Sequence, residues 1–292
     1  MYHFLMQILK KYFQDVCRGD SGGPLVCIDD KNQPILVGAV TGGDYCLQTN
    51  GASGGIYADI GHHYDWIVEN TQKDDEEDED DQDEDDQDEN EQSGDLIPEG
   101  VMCTETFLYA DEMSRVINGA EVVPNSWNWY AYFFGCGGTI LSREWIVTAA
   151  HCGVEVGSDV ALGFHEDLEA DSVQIVKVLE VIQHESYQSP HPNSNDIALV
   201  RVEPITFDGK TVNPACIQKN TDMFEGKRCY AGGMGLLNNE VDEATGQLKP
   251  VEAENVQSTS LVIGGGKCND YWNEFPEILC AGDDTNQVIQ NF

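Results

Sequence analysis

The stretch Cys17-Arg18-Gly19-Asp20-Ser21-Gly22-Gly23-Pro24 surrounds a single hydroxyl with glycine. A serine flanked by glycines on a tight turn can hold its Oγ clear of the backbone. The amides of Gly19 and Ser21 can then converge on one point, where a developing oxyanion would sit. A hydroxyl is a weak nucleophile near neutral pH, so such a serine needs a base to take its proton and a third group to orient the base. The chain offers both at long sequence distance. His151 lies in Thr148-Ala149-Ala150-His151-Cys152, after the β-rich run Trp145-Ile146-Val147, and Asp196 lies in Asn195-Asp196-Ile197-Ala198-Leu199-Val200. Taken singly, His151 is one of seven histidines and Asp196 one of many acids, each as readily structural as catalytic.

The elements that must position these groups follow from hydrophobic patterning. The 292 residues suit one or two domains with a sizeable core. Short apolar runs bounded by Gly, Asp, Asn and Pro predict strands at Leu25–Ile28, Ile35–Val40, Tyr130–Phe134, Thr139–Leu141, Trp145–Thr148, Val173–Ile182 and Ile197–Val202. One apolar-periodic stretch, His62–Asn70, reads as a helix. The pattern is that of an all-β protein, an antiparallel barrel or sandwich. Composition divides the chain into residues 1–72, a linker 73–99 and residues 100–292. In the linker, of the 18 residues Asp74–Glu91 only Gln82, Gln87 and Asn90 are not acidic. Like charges at this density repel and there is nothing apolar to bury, which predicts a disordered linker.

Lys and Arg total 15 against 53 Asp and Glu, a formal charge of −38. The chain stays acidic outside the linker, so neither nucleic acid nor an anionic membrane surface is an expected partner. The longest apolar runs fall short of the ~18 residues a transmembrane helix needs. Ten cysteines, at 17, 27, 46, 103, 136, 152, 216, 229, 268 and 280, form no CxxC pair. An even, dispersed set favours structural disulfides, an oxidising compartment and secretion. Met1–Gln14 departs from an export leader, because Lys10 and Lys11 follow the apolar stretch. No metal is expected, since His165–Ser172 lacks the ligand spacing of a calcium loop, and no other cofactor is expected either.

The eight residues around Ser21 resemble the nucleophile loop of trypsin-like (chymotrypsin-fold) serine proteases, and the segments around His151 and Asp196 resemble that family's histidine and aspartate motifs. The resemblance implies two six-stranded antiparallel β-barrels with a C-terminal-type helix. It also implies a Ser21–His151–Asp196 triad, with the Gly19 and Ser21 amides as oxyanion hole. Ser114-Arg115-Val116-Ile117-Asn118-Gly119 resembles the family's activation site. By that likeness a cut after Arg115 would free Val116, whose ammonium would pair with Asp20. Ile117 and Asn118 stand where the family usually has Val and Gly. Asp15, six residues before the nucleophile, would form the base of the specificity pocket, with Gly43 and Gly55 as its walls. Together they imply protein or peptide substrates with Arg or Lys at the cleavage site, and protein inhibitors of the same cleft. Gly42 replaces the family's usual Trp and should loosen extended subsite preference.

The order of the motifs is unusual for this family. Ser21 precedes His151 and Asp196, so residues 1–72 resemble the C-terminal portion of such a domain and residues 100–292 its N-terminal portion. By the same resemblance the disulfides would be Cys136–Cys152, Cys268–Cys280, Cys17–Cys46, Cys103–Cys216 and Cys27–Cys229, the last one crossing between the portions. Two arrangements are compatible with this order. The portions could complement each other as one permuted, active domain. They could instead be the tail and head of two domains, from a tandem array or a mis-assembled gene model. In that case the chain would be an inactive fragment or a pseudo-protease binding module, and the acidic tract could gather Ca²⁺ or a basic partner.

Overall fold

The computed structural model describes residues 19–31, 33–43, 54–72, 101–102, 120–122, 124–163, 173–241, 248–265 and 274–282. Before the acidic tract the chain forms β1 (Pro24–Ile28), β2 (Pro34–Gly43), β3 (Gly54–Asp59) and α1 (Tyr64–Thr71). β1 and most of β2 are buried on both faces, which is why they read as continuous apolar runs and not as an alternation. The helix expected over His62–Asn70 begins at Tyr64. His62 and His63 occupy the turn leading into it, where the His63 N–H donates to the Asp59 carbonyl and the Ile67 N–H to the His63 carbonyl.

Beyond the tract come β4 (Val101–Met102), β5 (Ala120–Glu121), β6 (Tyr130–Tyr132), β7 (Gly137–Ile140), β8 (Trp145–Thr148), β9 (Asp159–Leu162), β10 (Gln174–Gln183) and β11 (Ala198–Val202). The last six close an antiparallel barrel in the order β10-β11-β8-β7-β6-β9. Ala131, Ile140, Ile146, Leu162, Val178 and Val200 are among the residues that fill it. β6 stops at Tyr132, short of the expected Phe134, because Phe134 has a left-handed φ of 54° that no strand continues. β7 starts earlier than expected, at Gly137. A Cβ there would lie 2.9 Å from the Tyr130 ring, so this strand position admits only glycine.

The remaining strands are β12 (Cys216–Gln218), β13 (Arg228–Gly233), β14 (Leu236–Val241), β15 (Leu248–Glu252), β16 (Gln257–Ile263) and β17 (Ile278–Gly282). A second ring of six strands runs β1-β13-β16-β17-β3-β2 and returns to β1, every pair antiparallel. Three of its strands precede the acidic tract and three follow it, so neither stretch closes the ring alone. The Cys27–Cys229 disulfide joins β1 to β13 inside this barrel. β12 adds to β2 in parallel, and β14 pairs with β15 as a separate ribbon.

A separate apolar cluster joins the two barrels. Trp129, Tyr130, Trp145 and Leu199 of the first pack in a single cluster with Val26, Leu36, Ile60 and Ile67 from before the tract. Cys136–Cys152 closes a short loop of the first barrel. Cys216 and Cys280 are also disulfide-bonded, and among the described residues no cysteine is free. Cys17, Cys46, Cys103 and Cys268 lie outside the described residues. Among the described residues, no helix is long and apolar enough to cross a membrane.

Candidate active site

The Ser21 loop precedes β1 and makes a four-residue turn, Asp20 to Gly23, closed by the Gly23 N–H donating to the Asp20 carbonyl at 2.9 Å. Gly22, at the third position of the turn, has φ +75°, the conformation a type II turn reserves for glycine. Space demands glycine as well: a Cβ on Gly22 would sit 2.2 Å from Thr148 Oγ1 and 2.4 Å from the Gly137 carbonyl. Gly19 has φ +101°. The Gly22 N–H donates to the Val40 carbonyl at 2.7 Å, and the Gly137 N–H donates to the Ser21 carbonyl at 2.7 Å. The loop is therefore tied to β2 of the second barrel and β7 of the first, at the seam between them. Among the described residues the N–H groups of Gly19 and Ser21 meet no acceptor.

The base and its orienter come together through strand pairing. β8 and β11 are neighbours in the first barrel, with Ala198 opposite Thr148. His151 follows Thr148 by three residues in a single 3-10 turn (Ala150–Cys152), and Asp196 precedes Ala198 by two. The Asp196 carboxylate uses both oxygens on His151. Oδ1 accepts from the His151 backbone N–H at 2.8 Å, and Oδ2 faces Nδ1 at 2.6 Å. The Asp196 side chain is 2% exposed and that of His151 33%. A buried acid thus holds the ring of a half-exposed histidine through Nδ1. The Ser21 loop lies close to this pair in the chain path, since Gly22, next to Ser21, abuts Thr148 and Ala149, two residues before His151.

Asp20 points away from this pair. The Gly235 N–H donates to its Oδ1 at 2.7 Å, and side chains at Gly233 or Gly235 would collide with its carboxylate. Nearby, the Tyr130 phenol is held well above its ordinary value, first by burial and then by the Asp20 carboxylate. Gly43 and Gly55 stand directly opposite each other at the ends of β2 and β3. Asp15, Arg115 and Val116 lie outside the described residues. Among the described residues there is no cluster of His, Cys, Asp and Glu fit to hold a metal ion.

Two residues that spacing did not single out lie directly behind Asp196. His63, 2% exposed, presents Nε2 to Asn195 Oδ1 at 3.0 Å and Nδ1 to the Asp59 carbonyl at 2.6 Å. Burial pushes the His63 imidazole below its usual value, against the pull of these two oxygens. Burial likewise raises the Asp59 carboxyl. The only sequence signal was the departure of His62-His63 from an otherwise apolar helical pattern.

The glycine-flanked serine loop and the acid-oriented histidine both lie where the two six-stranded barrels meet. The Trypsin family model matches residues 3–67 and 116–288, well over half of the chain, and the chain belongs to the trypsin family. Ovochymase of Halocynthia roretzi is 32% identical over 200 residues, covering 62% of this chain; the match spans 12% of ovochymase. The structure of neuropsin, a serine protease expressed in the limbic system of mouse brain, is 24% identical with a TM-score of 0.43, over 57% of this chain and 75% of that one.

Proposed function

We propose that this chain is a secreted serine endopeptidase that cleaves after Arg or Lys, made as a zymogen and activated by a cut after Arg115. The observation that carries the reading is the bidentate grip of buried Asp196 on His151, beside a loop that stations Ser21 between the barrels. His151 Nε2 takes the Ser21 proton as Oγ attacks the scissile carbonyl. The oxyanion meets the Gly19 and Ser21 N–H groups, each donor contributing roughly 3–4 kcal/mol to the transition state. His151 then returns the proton to the leaving amine, and water, activated by the same ring, hydrolyses the acyl group from Ser21. Asp15 at the pocket base selects a basic side chain. The free ammonium of Val116 pairs with Asp20 and settles the loop around Gly19. Residues 1–72 and 100–292 act as complementary portions of one domain joined through residues 73–99, and the acidic surface draws basic substrates at long range.

The test uses the chain cut after Arg115 and peptide amides ending in Arg, Lys or Leu. The Arg and Lys substrates should be hydrolysed, and an organophosphorus serine probe should leave its label on Ser21 by peptide mapping. The absence of both turnover and label would overturn the reading.

A milder expectation concerns Gly42. A Cβ there meets only Ile56 Cγ1, at 4.0 Å, so an aromatic side chain has room to grow outward from β2. Gly42→Trp should lower KM for extended peptides several-fold and leave single-residue amides unaffected, because stacking against a substrate backbone adds on the order of 1 kcal/mol. Steady-state kinetics on a length series of peptides reads this directly.

A further inference from the structure

The Asp196 loop and the turn before α1 are 132 residues apart in sequence and meet through buried side chains. Asn195 directly precedes Asp196 and is held at a left-handed φ of 52°. Its amide nitrogen donates to the Ser189 carbonyl at 2.9 Å and to the Ser186 carbonyl at 3.3 Å. Both amide protons are thereby used, so the atom turned toward His63 is Oδ1, and His63 Nε2–H donates to it at 3.0 Å. The other ring nitrogen faces the Asp59 carbonyl. The ring therefore lies between the backbone that ends β3 and the residue that precedes the catalytic aspartate. Trp66, one turn into α1, fastens the same loop further out: its indole N–H donates to Glu185 Oε2 at 3.2 Å, and its ring lies 4.9 Å from that of His184.

We propose that His63 is a positioning residue for the catalytic aspartate: by holding Asn195 Oδ1 it fixes the loop that aims Asp196 at His151. The inference rests on the protease reading above. It deepens that reading by giving the segment before the acidic tract a second contribution to the site beyond Ser21. Asp196 spends both oxygens on His151, one on the backbone and one on the ring, and this two-point grip tolerates little rotation of residue 196. Residue 195 lies in a strained region of φ and has its side chain held by three bonds. Losing the His63 bond would leave a buried carbonyl oxygen unpaired one residue from the acid, and the loop would shift to find it a partner. A neutral ring can donate to only one of the two oxygens it faces, and the bond to Asn195 is the one made when the proton is on Nε2.

Three variants test this. His63→Leu removes the ring's bond to Asn195, His63→Gln keeps an N–H able to reach Asn195, and Asn195→Ala removes the partner. With the Arg115-cut chain and an Arg peptide amide, His63→Leu should lower kcat about tenfold with KM little changed, the signature of a misplaced catalytic group. His63→Gln should recover most of that loss. Asn195→Ala should resemble His63→Leu, and the double variant should be no worse than either single one. The second readout needs no turnover: the proton between His151 Nδ1 and Asp196 gives a far-downfield NMR signal, which should shift or broaden in His63→Leu and return in His63→Gln. A wild-type chain without turnover would count against the protease reading alone, and the NMR signal would still decide the role of His63. Unchanged kcat and an unmoved signal in His63→Leu would overturn the proposal. So would a loss confined to melting temperature. If His63→Leu does not fold, the same outcomes are read from Asn195→Ala.

Discussion

Replacing Ser21 with alanine should lower kcat about 10⁶-fold while leaving KM nearly unchanged. The argument rests on what the substitution removes and what it spares. Gly19 and residue 21 still present backbone N–H groups, Gly22 keeps its φ of +75°, and the His151–Asp196 pair is untouched. Binding survives and only the attacking oxygen is lost. Asp196→Asn attacks the same step from the other end. The Asp196 carboxylate accepts from His151 Nδ1, whereas an asparagine amide would donate there and force the ring proton onto Nε2. An Nε2 that already carries a proton has no lone pair for the serine, and kcat should fall about 10⁴-fold. Residues that act as one unit are not additive, so Ser21→Ala with Asp196→Asn should be no slower than Ser21→Ala alone. Burst-free progress curves on an Arg peptide amide, with protein quantified by absorbance, give all three values. A Ser21→Ala protein turning over at the wild-type rate would place the nucleophile elsewhere.

The strands were legible because they are short, apolar and punctuated. Trp145–Thr148 matches β8 residue for residue, and Ile35–Val40 lies inside β2. The errors fell where a tertiary contact overrides local pattern. Phe134 reads as a strand residue by type, yet its backbone turns left-handed so that Cys136 can meet Cys152. Gly137 and Gly138 fall outside the expected Thr139–Leu141 strand, yet they are strand residues pressed against the Tyr130 and Phe133 rings. The pairing of His151 with Asp196 was legible because each sits in a local string whose chemistry shows at short range. His63 and Asn195 were not, because their partnership spans 132 residues and depends on strands from both sides of the acidic tract closing one ring.

That closure makes the second large prediction, since the ring has its covalent seam at Cys27–Cys229. The seam is short in hydrogen bonds: β1 and β13 pair over Leu25 with Ala231 and Val26 with Tyr230 only. The disulfide spans a sequence separation of 202 residues. By chain entropy, closing a loop of that length restricts the unfolded state by about 5 kcal/mol at 25 °C, an upper figure because the denatured chain is itself compact. A small domain has roughly 5–15 kcal/mol in total, so Cys27→Ser with Cys229→Ser should remove a large part of it, read as a lower denaturation midpoint in urea at unchanged slope. Both cysteines are within 1% of complete burial, so the native bond should resist mild reductant and yield only on unfolding. The same bond should govern what happens when the chain is nicked within residues 73–99. The two pieces should run as one band without reductant and as two with it, and the nicked protein should keep its activity, because three strands from each piece still complete the barrel. In the doubly substituted protein the nick turns an intramolecular closure into an association of two pieces, so activity should become dependent on dilution. A nicked, disulfide-free protein whose specific activity is the same at every concentration would show that the ring holds by packing alone.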